Sequence, residues 1–155
     1  MTDANARLCE LNLIKNCFVV GTLVQTKLGL KPIEAVQVGD EVLSRCMETG
    51  CVSYKSVTET FSKQADVITT ITLTNDETIQ STPQHLYFTT NRGFIIVEQL
   101  TDCDKLLGEH NILSIKSVET TEKTTQFYNF EVAVNHTYFV GKRACWCIMI
   151  VQMRI

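Results

Sequence analysis

No apolar run in this chain approaches the roughly 20 residues that a membrane-spanning helix requires, which excludes a helical transmembrane protein. The opening MTDANARLCELNLIKN lacks a basic start, an apolar middle and a small-residue cleavage site, so no signal peptide is expected. Charge of one sign is scarce too. Lys and Arg number 14 against 17 Asp and Glu, and a net charge of −3 gives nucleic acid or an anionic membrane nothing to bind. Only 2 prolines interrupt the chain, no linker or low-complexity tract divides it, and no strong internal repeat is visible. A soluble protein is expected, acting as a monomer, and the sequence does not specify its compartment.

What remains is ordinary in bulk and distinctive in pattern. A chain of 155 residues, 45% hydrophobic, suits one domain with a continuous core. Residues 1–16 read as a short leader with a helical turn or two through Leu8, Leu11 and Ile14. Beyond it the chain reads as strand after strand. TLVQT (22–26) and EVLSR (41–45) come first, then VSYKSVTETF (52–61) and VITTITL (67–73), both rich in β-branched and aromatic residues. ILSIKSV, FYNFEV and TYFVG follow. Turns fall at Gly29, at Glu48-Thr49-Gly50, at Asn75-Asp76, at Asn91-Arg92-Gly93 and at Gly108-Glu109-His110-Asn111. The expected class is all-β with little helix.

Cysteine is the residue in excess, with 7 in the chain. An odd number at irregular spacing argues against a closed disulfide framework. Most of them suit the role of small buried hydrophobes. Cys145 and Cys147, at i and i+2, point the same way on a strand. A zinc site needs about four ligands, and no second pair follows, so neither a metal nor a cofactor is expected.

The chemistry-bearing residues fall in three separated blocks. Cys17 stands where the polar leader ends and CFVVGT begins. Thr82-Pro83-Gln84-His85 follows the strand ETIQS, and its i, i+3 spacing suits a turn that aims both side chains one way. Asn129 and His136 lie in YNFEVAVNHTYFVG (128–141). Taken singly, Cys17 fits a core thiol, Thr82 and His85 a capped surface turn, and His136 a hydrogen-bonded turn residue. His110 fits a solvated one.

Taken in order, the three blocks resemble the Hint superfamily of inteins, hedgehog autoprocessing domains and the bacterial intein-like domains of polymorphic toxins. CFVVGTLVQTKLGLKPIEAVQVGDEVLSR (17–45) resembles its N-terminal splicing block, STPQHLYF (81–88) its Thr-x-x-His block, and residues 128–141 its penultimate block. The likeness is greatest to the bacterial, toxin-associated branch. It implies a horseshoe-shaped all-β fold with pseudo-twofold halves and adjoining chain ends, spanning residues 17–155 behind the leader. It also implies autocatalysis, once per molecule, with the chain's own flanking polypeptide as substrate. Cys17 would attack the Asn16–Cys17 bond in an N-to-S acyl shift and form a thioester. His85 would supply the acid for the departing nitrogen, Thr82 would orient the amide, and His136 would assist the C-terminal half of the reaction. Many relatives carry aspartate where Asn129 stands. Asparagine hydrogen-bonds but takes no proton, so a base role is in doubt there.

Physics favours the same attack. The scissile amide is resonance-stabilised, but a thiol on the adjoining residue meets it without the entropic cost of assembly. The end of the chain departs from the family. GKRACWCIMIVQMRI contains no His-Asn pair, so asparagine cyclisation, and with it splicing, is not expected. Synonymous codons for Arg143–Arg154, read two nucleotides late, spell Gly-Val-Leu-Val-His-Asn-Asp-Cys-Pro-Asp-Ala, which suggests a frameshifted strand over 143–155. A diverged final strand is the plainer origin, since CIMIV is apolar enough to pair. The competing functional reading is a degenerate Hint scaffold acting only as a β interaction module. A cysteine-rich metal or redox protein ranks below both.

Overall fold

A computed structural model describes residues 17–142 and 145–148. The leader 1–16, with Asn16, and residues 143–144 and 149–155 of the proposed frameshift lie outside the described residues. Strands follow one another throughout: β1 (Phe18–Val19), β2 (Leu23–Thr26), β3 (Gly29–Pro32), β4 (Glu41–Arg45), β5 (Val52–Leu73), β6 (Thr78–Ser81), β7 (Leu86–Thr89), β8 (Gly93–Ile96), β9 (Lys105–Leu107), β10 (Ile112–Val132), β11 (Thr137–Val140) and β12 (Cys145–Ile148). Among the described residues the helical pieces are two 3-10 turns, Ile33–Ala35 and Val97–Gln99, and no helix is long and apolar enough to cross a membrane. The strands join in the order β11-β12-β7-β9-β10-β1-β6-β5-β4-β2-β3, with β8 on β7. Pairings of β11 with β2 and of β10 with β5 draw the sheet around on itself.

Two expected strand pairs are single long strands. Residues 52–61 and 67–73 belong to one strand, β5, and residues 112–118 and 127–132 to another, β10. The polar stretches between them, SKQAD and ETTEKTTQ, read as loops because nothing apolar alternates there. They pair with each other instead, from Ser62 opposite Tyr128 to Thr70 opposite Glu119, with a register shift between Glu122 and Thr125. Backbone hydrogen bonding needs no apolar side chains, and an antiparallel ribbon tolerates water on its faces.

The fold also contains a duplication that side-chain identity hides. The unit β2, β3, 3-10 turn, β4, β5 recurs as β7, β8, 3-10 turn, β9, β10. From the hairpin glycine onward the two copies keep one constant offset: Gly29 matches Gly93, Ile33 matches Val97, Glu34 matches Glu98, and Asp40 matches Asp104. Gly29 (φ 110°) and Gly93 (φ 72°) take the left-handed backbone that tightens each hairpin. The repeat escapes a sequence reading because few turn residues are kept while the rest match only in polarity.

Phe18, Val24, Ile71, Leu73, Tyr87, Leu106, Phe127, Phe130 and Tyr138 form the fully buried centre, into which Cys17, Cys145 and Cys147 also pack. Leu43, Phe139 and Trp146 make a second cluster with Phe88, Phe94 and Leu107. The alternation of β12 explains why this tail pairs. Its two cysteines meet the main core while Trp146 meets the second cluster, so both faces demand apolar residues and CWC supplies them.

Candidate functional site

β1 is clasped between two strands, with Phe18 opposite Tyr128 of β10 and opposite Ser81 of β6. One step back along both ladders, Cys17 falls between Asn129 and Thr82. The Thr82 N–H donates to the Cys17 carbonyl at 2.9 Å. The Cys17 N–H, which is the nitrogen of the expected scissile bond, donates to Thr82 Oγ1 at 3.2 Å. Both residues are buried. Two blocks far apart in sequence therefore meet through the amide that the sequence singles out.

His85 ends the turn that Thr82 begins, its N–H donating to the Thr82 carbonyl at 3.2 Å. The ring is fully buried, 4.2 Å between centroids from Phe18 and 5.0 Å from Tyr87. Its Nδ1 lies 3.1 Å from the Leu86 carbonyl. A carbonyl only accepts, so Nδ1 carries the proton and Nε2 keeps its lone pair. Nε2 is buried and, among the described residues, has no hydrogen-bond partner. Burial drives the histidine down to about 3, against a smaller upward pull from Leu86. The imidazole stands neutral at physiological pH, with Nε2 buried. It can deliver a proton from Nε2 only after taking one up there.

Asn129 is held rigidly. Its Oδ1 accepts the Tyr138 hydroxyl at 2.6 Å and the Phe130 N–H at 2.7 Å. Burial first, then the nearby Cys147 and Cys17 thiols, push the Tyr138 phenol well above its ordinary value, so it remains a donor. Tyr138 also receives the Cys147 thiol on its carbonyl at 3.4 Å, which ties β12 to the strand beside Cys17. The Cys145 thiol is pushed up to about 12 by burial, and Cys147 well above its usual value for the same reason. Neither thiol ionises readily to hold a metal. Among the described residues no three metal-ligating side chains converge.

His136 stands apart from this cluster. It sits in the β10–β11 turn at φ 58°, partly exposed, with Nδ1 3.1 Å from Glu131 Oε1. Desolvation raises the Glu131 carboxyl while His136 pulls it back. The next residue, Thr137, pairs with Ile148 at the outgoing end of β12, so His136 borders the C-terminal strand. His110 is solvated, its side chain 82% exposed.

Phe18, Tyr87 and Tyr138 belong to the site and were not picked out in the sequence. Phe18 and Tyr87 dry the histidine, and Tyr138 anchors Asn129. Their adjacency to Cys17, His85 and His136 was the available signal, but aromatic residues in strands look alike until register is known. An open recess of about 620 Å³ adjoins Thr82, bordered by Lys63, Asp66, Gln84 and Glu98.

The pretoxin HINT domain family model matches residues 23–151. A bacterial intein-like domain from Clostridium thermocellum, solved in solution, is 31% identical, with a TM-score of 0.81 over 85% of this chain and 97% of that one. The gp41-1 intein is 26% identical, with a TM-score of 0.71 over 86% of this chain and 98% of that one. A DnaB intein from Synechocystis sp. PCC 6803, at 15% identity and a TM-score of 0.74 over 86% of this chain and 98% of its own, shares the fold. No curated protein sequence matches significantly.

Proposed function

The chain belongs to the pretoxin Hint family, the fold is the all-β Hint horseshoe, and from that premise we propose that it is an autoprocessing domain that cuts its own chain at Asn16–Cys17. The observation that carries this reading is the hydrogen bond from the Cys17 N–H to Thr82 Oγ1, with His85 at the end of the same turn. In a planar trans amide the N–H and the C=O point opposite ways. Anchoring the N–H at Thr82 therefore restrains rotation of the amide, so the bond is oriented before attack.

The steps follow from the protonation states. The neutral His85 takes the Cys17 thiol proton on Nε2, and the thiolate adds to the Asn16 carbonyl carbon. The C–N bond then breaks, and His85 returns the proton to the departing nitrogen, leaving a thioester and a free amine. This amends the role expected from sequence, because His85 serves as base before it serves as acid. Water or an added thiol reaching the site through the recess beside Thr82 then releases residues 1–16. Asn129 holds Tyr138 rather than a proton. Splicing is not proposed, because residues 141–155 contain no His-Asn pair.

Mass spectrometry of the purified chain, with and without dithiothreitol, tests this. Thiol-dependent loss of residues 1–16 that disappears in Cys17→Ala is the expected result. An intact chain under both conditions would overturn it and favour the inactive scaffold, which the missing His-Asn already recommends. Replacing residues 143–149 with a tail ending Gly-Val-Leu-Val-His-Asn is expected to restore cleavage at the C-terminal junction of a fusion. Codons in the gene incompatible with the shifted reading would remove the frameshift.

A further inference from the structure

The neck of the β4–β5 hairpin carries two thiols that the self-cleavage chemistry does not use. Arg45 and Val52 are the last paired residues of the ladder, so the next position outward sets Cys46 opposite Cys51. The pairing continues there, since the Cys46 N–H donates to the Cys51 carbonyl at 2.9 Å. Residues facing each other in this way stand about 5.5 Å apart at Cα with side chains on one face, inside the span a disulfide bridges. Both are free thiols, Cys46 half-buried and Cys51 exposed.

The turn between them is built to hold that geometry. The Gly50 N–H closes onto the Cys46 carbonyl at 2.8 Å, and the Cys51 N–H onto Thr49 Oγ1 at 3.2 Å. Gly50, at φ 75°, takes the left-handed conformation that lets so short a loop return. The Thr49 hydroxyl, then the Thr49 and Glu48 backbone, hold the Cys46 thiol below its ordinary value, which favours its thiolate. None of the other described cysteines has this setting. Cys17, Cys145 and Cys147 are buried, and Cys103 is exposed with Asp102 as its neighbour at 3.7 Å.

We propose that Cys46 and Cys51 are a redox-active dithiol that closes to a disulfide across the hairpin neck by exchange with a small-molecule disulfide. The Cys46 thiolate attacks the reagent, forming a mixed disulfide and expelling one thiolate. Cys51, on losing its proton, attacks the Cys46 sulfur and expels the second. The protein gives up two electrons and two protons, and the reagent is reduced to two thiols. Closure locks the neck beside Arg45, whose carbonyl accepts the Thr137 hydroxyl at 2.7 Å and whose guanidinium lies 5.2 Å from the Trp146 ring centre. The bridge therefore stiffens the strand pair against which β11 and β12 seat.

Oxidised glutathione is the probe, added to the native full chain before alkylation with iodoacetamide and digestion with trypsin. Cleavage after Arg45 and Lys55 yields one peptide, 46–55, with both cysteines. The expected peptide is unalkylated and lighter than its reduced form by two hydrogens, and dithiothreitol restores alkylation at both positions. Cys51→Ser is expected to trap glutathione on Cys46. A wild-type peptide alkylated at both cysteines, or carrying glutathione on each, overturns the proposal. The same result in the Cys17→Ala background keeps the readout separate from self-cleavage, so either proposal can fail alone.

Discussion

The two halves of the duplication, residues 23–73 and 86–132, build the same hairpin, turn and long strand, yet they hold their shared aspartate differently. Asp40 accepts the Gln37 N–H and Lys31 Nζ at 2.9 and 2.8 Å, with a side chain 26% exposed. Asp104 repeats the turn bond with the Thr101 N–H at 2.9 Å, but its side chain is only 2% exposed. Its cation comes from the hairpin loop, where Arg92 donates through Nε and Nη2 at 2.9 and 2.8 Å, and Asn91 adds a third donor. Arg92 and its hydrogen bonds hold the Asp104 carboxyl far below the usual carboxylate range. Lys31 lowers Asp40 more weakly. One backbone motif can thus serve as an exposed ion pair or a buried clamp, and the choice rests on where the cation enters. What leads into each half differs as well: Cys17 precedes the first and His85 the second. Both border Thr82, which bonds the Cys17 backbone and accepts the His85 N–H.

The largest expected effect concerns those leading residues. His85→Ala should slow leader release by about 10²–10⁴-fold, the usual worth of a positioned acid–base group. His136→Ala should leave it unchanged. Release rates followed by mass spectrometry would break the division of roles if the two variants behaved alike.

Next comes the clamp. Asp104→Ala is expected to cost about 3 kcal/mol in urea unfolding, because it strands donors that converge on a buried carboxylate. The matching Asp40→Ala should cost under about 1 kcal/mol, as for an exposed pair. Equal losses would show that the two halves use their aspartates alike.

The pH dependence sharpens the contrast further. His85 has a folded value of about 3, below the 6.5 of an ordinary histidine. The unfolded chain therefore takes up a proton that the folded chain refuses. Stability is full above pH 6.5 and is lost as pH falls toward 3, by about 2 kcal/mol between pH 7 and pH 5. His85→Phe should flatten that part of the urea-midpoint profile. The smallest effect is expected at the His136–Glu131 pair, where His136→Gln should change stability by about 0–1 kcal/mol.

Much of this was legible in advance. The strand segments, the turns at Gly50, Asp76 and Gly93, and the pairing of Thr82 with His85 on one turn follow from local chemistry, and local chemistry is printed in the chain. The continuity of β5 and β10 was hidden, because solvated residues in a paired ribbon look like a loop. The repeat was hidden because a duplicated backbone constrains few side chains. The protonation state of His85 was hidden because a histidine's charge depends on what buries it, and Phe18 and Tyr87 become its neighbours only through β1 and β7.

By itself the sequence determined the all-β class and the order of the three blocks, since periodicity and motif spacing are local properties. Only the tertiary structure decided that the Cys17 amide rests on Thr82, that burial keeps His85 neutral, and that Cys46 faces Cys51. Each of these depends on register between strands distant along the chain, and register is set by packing.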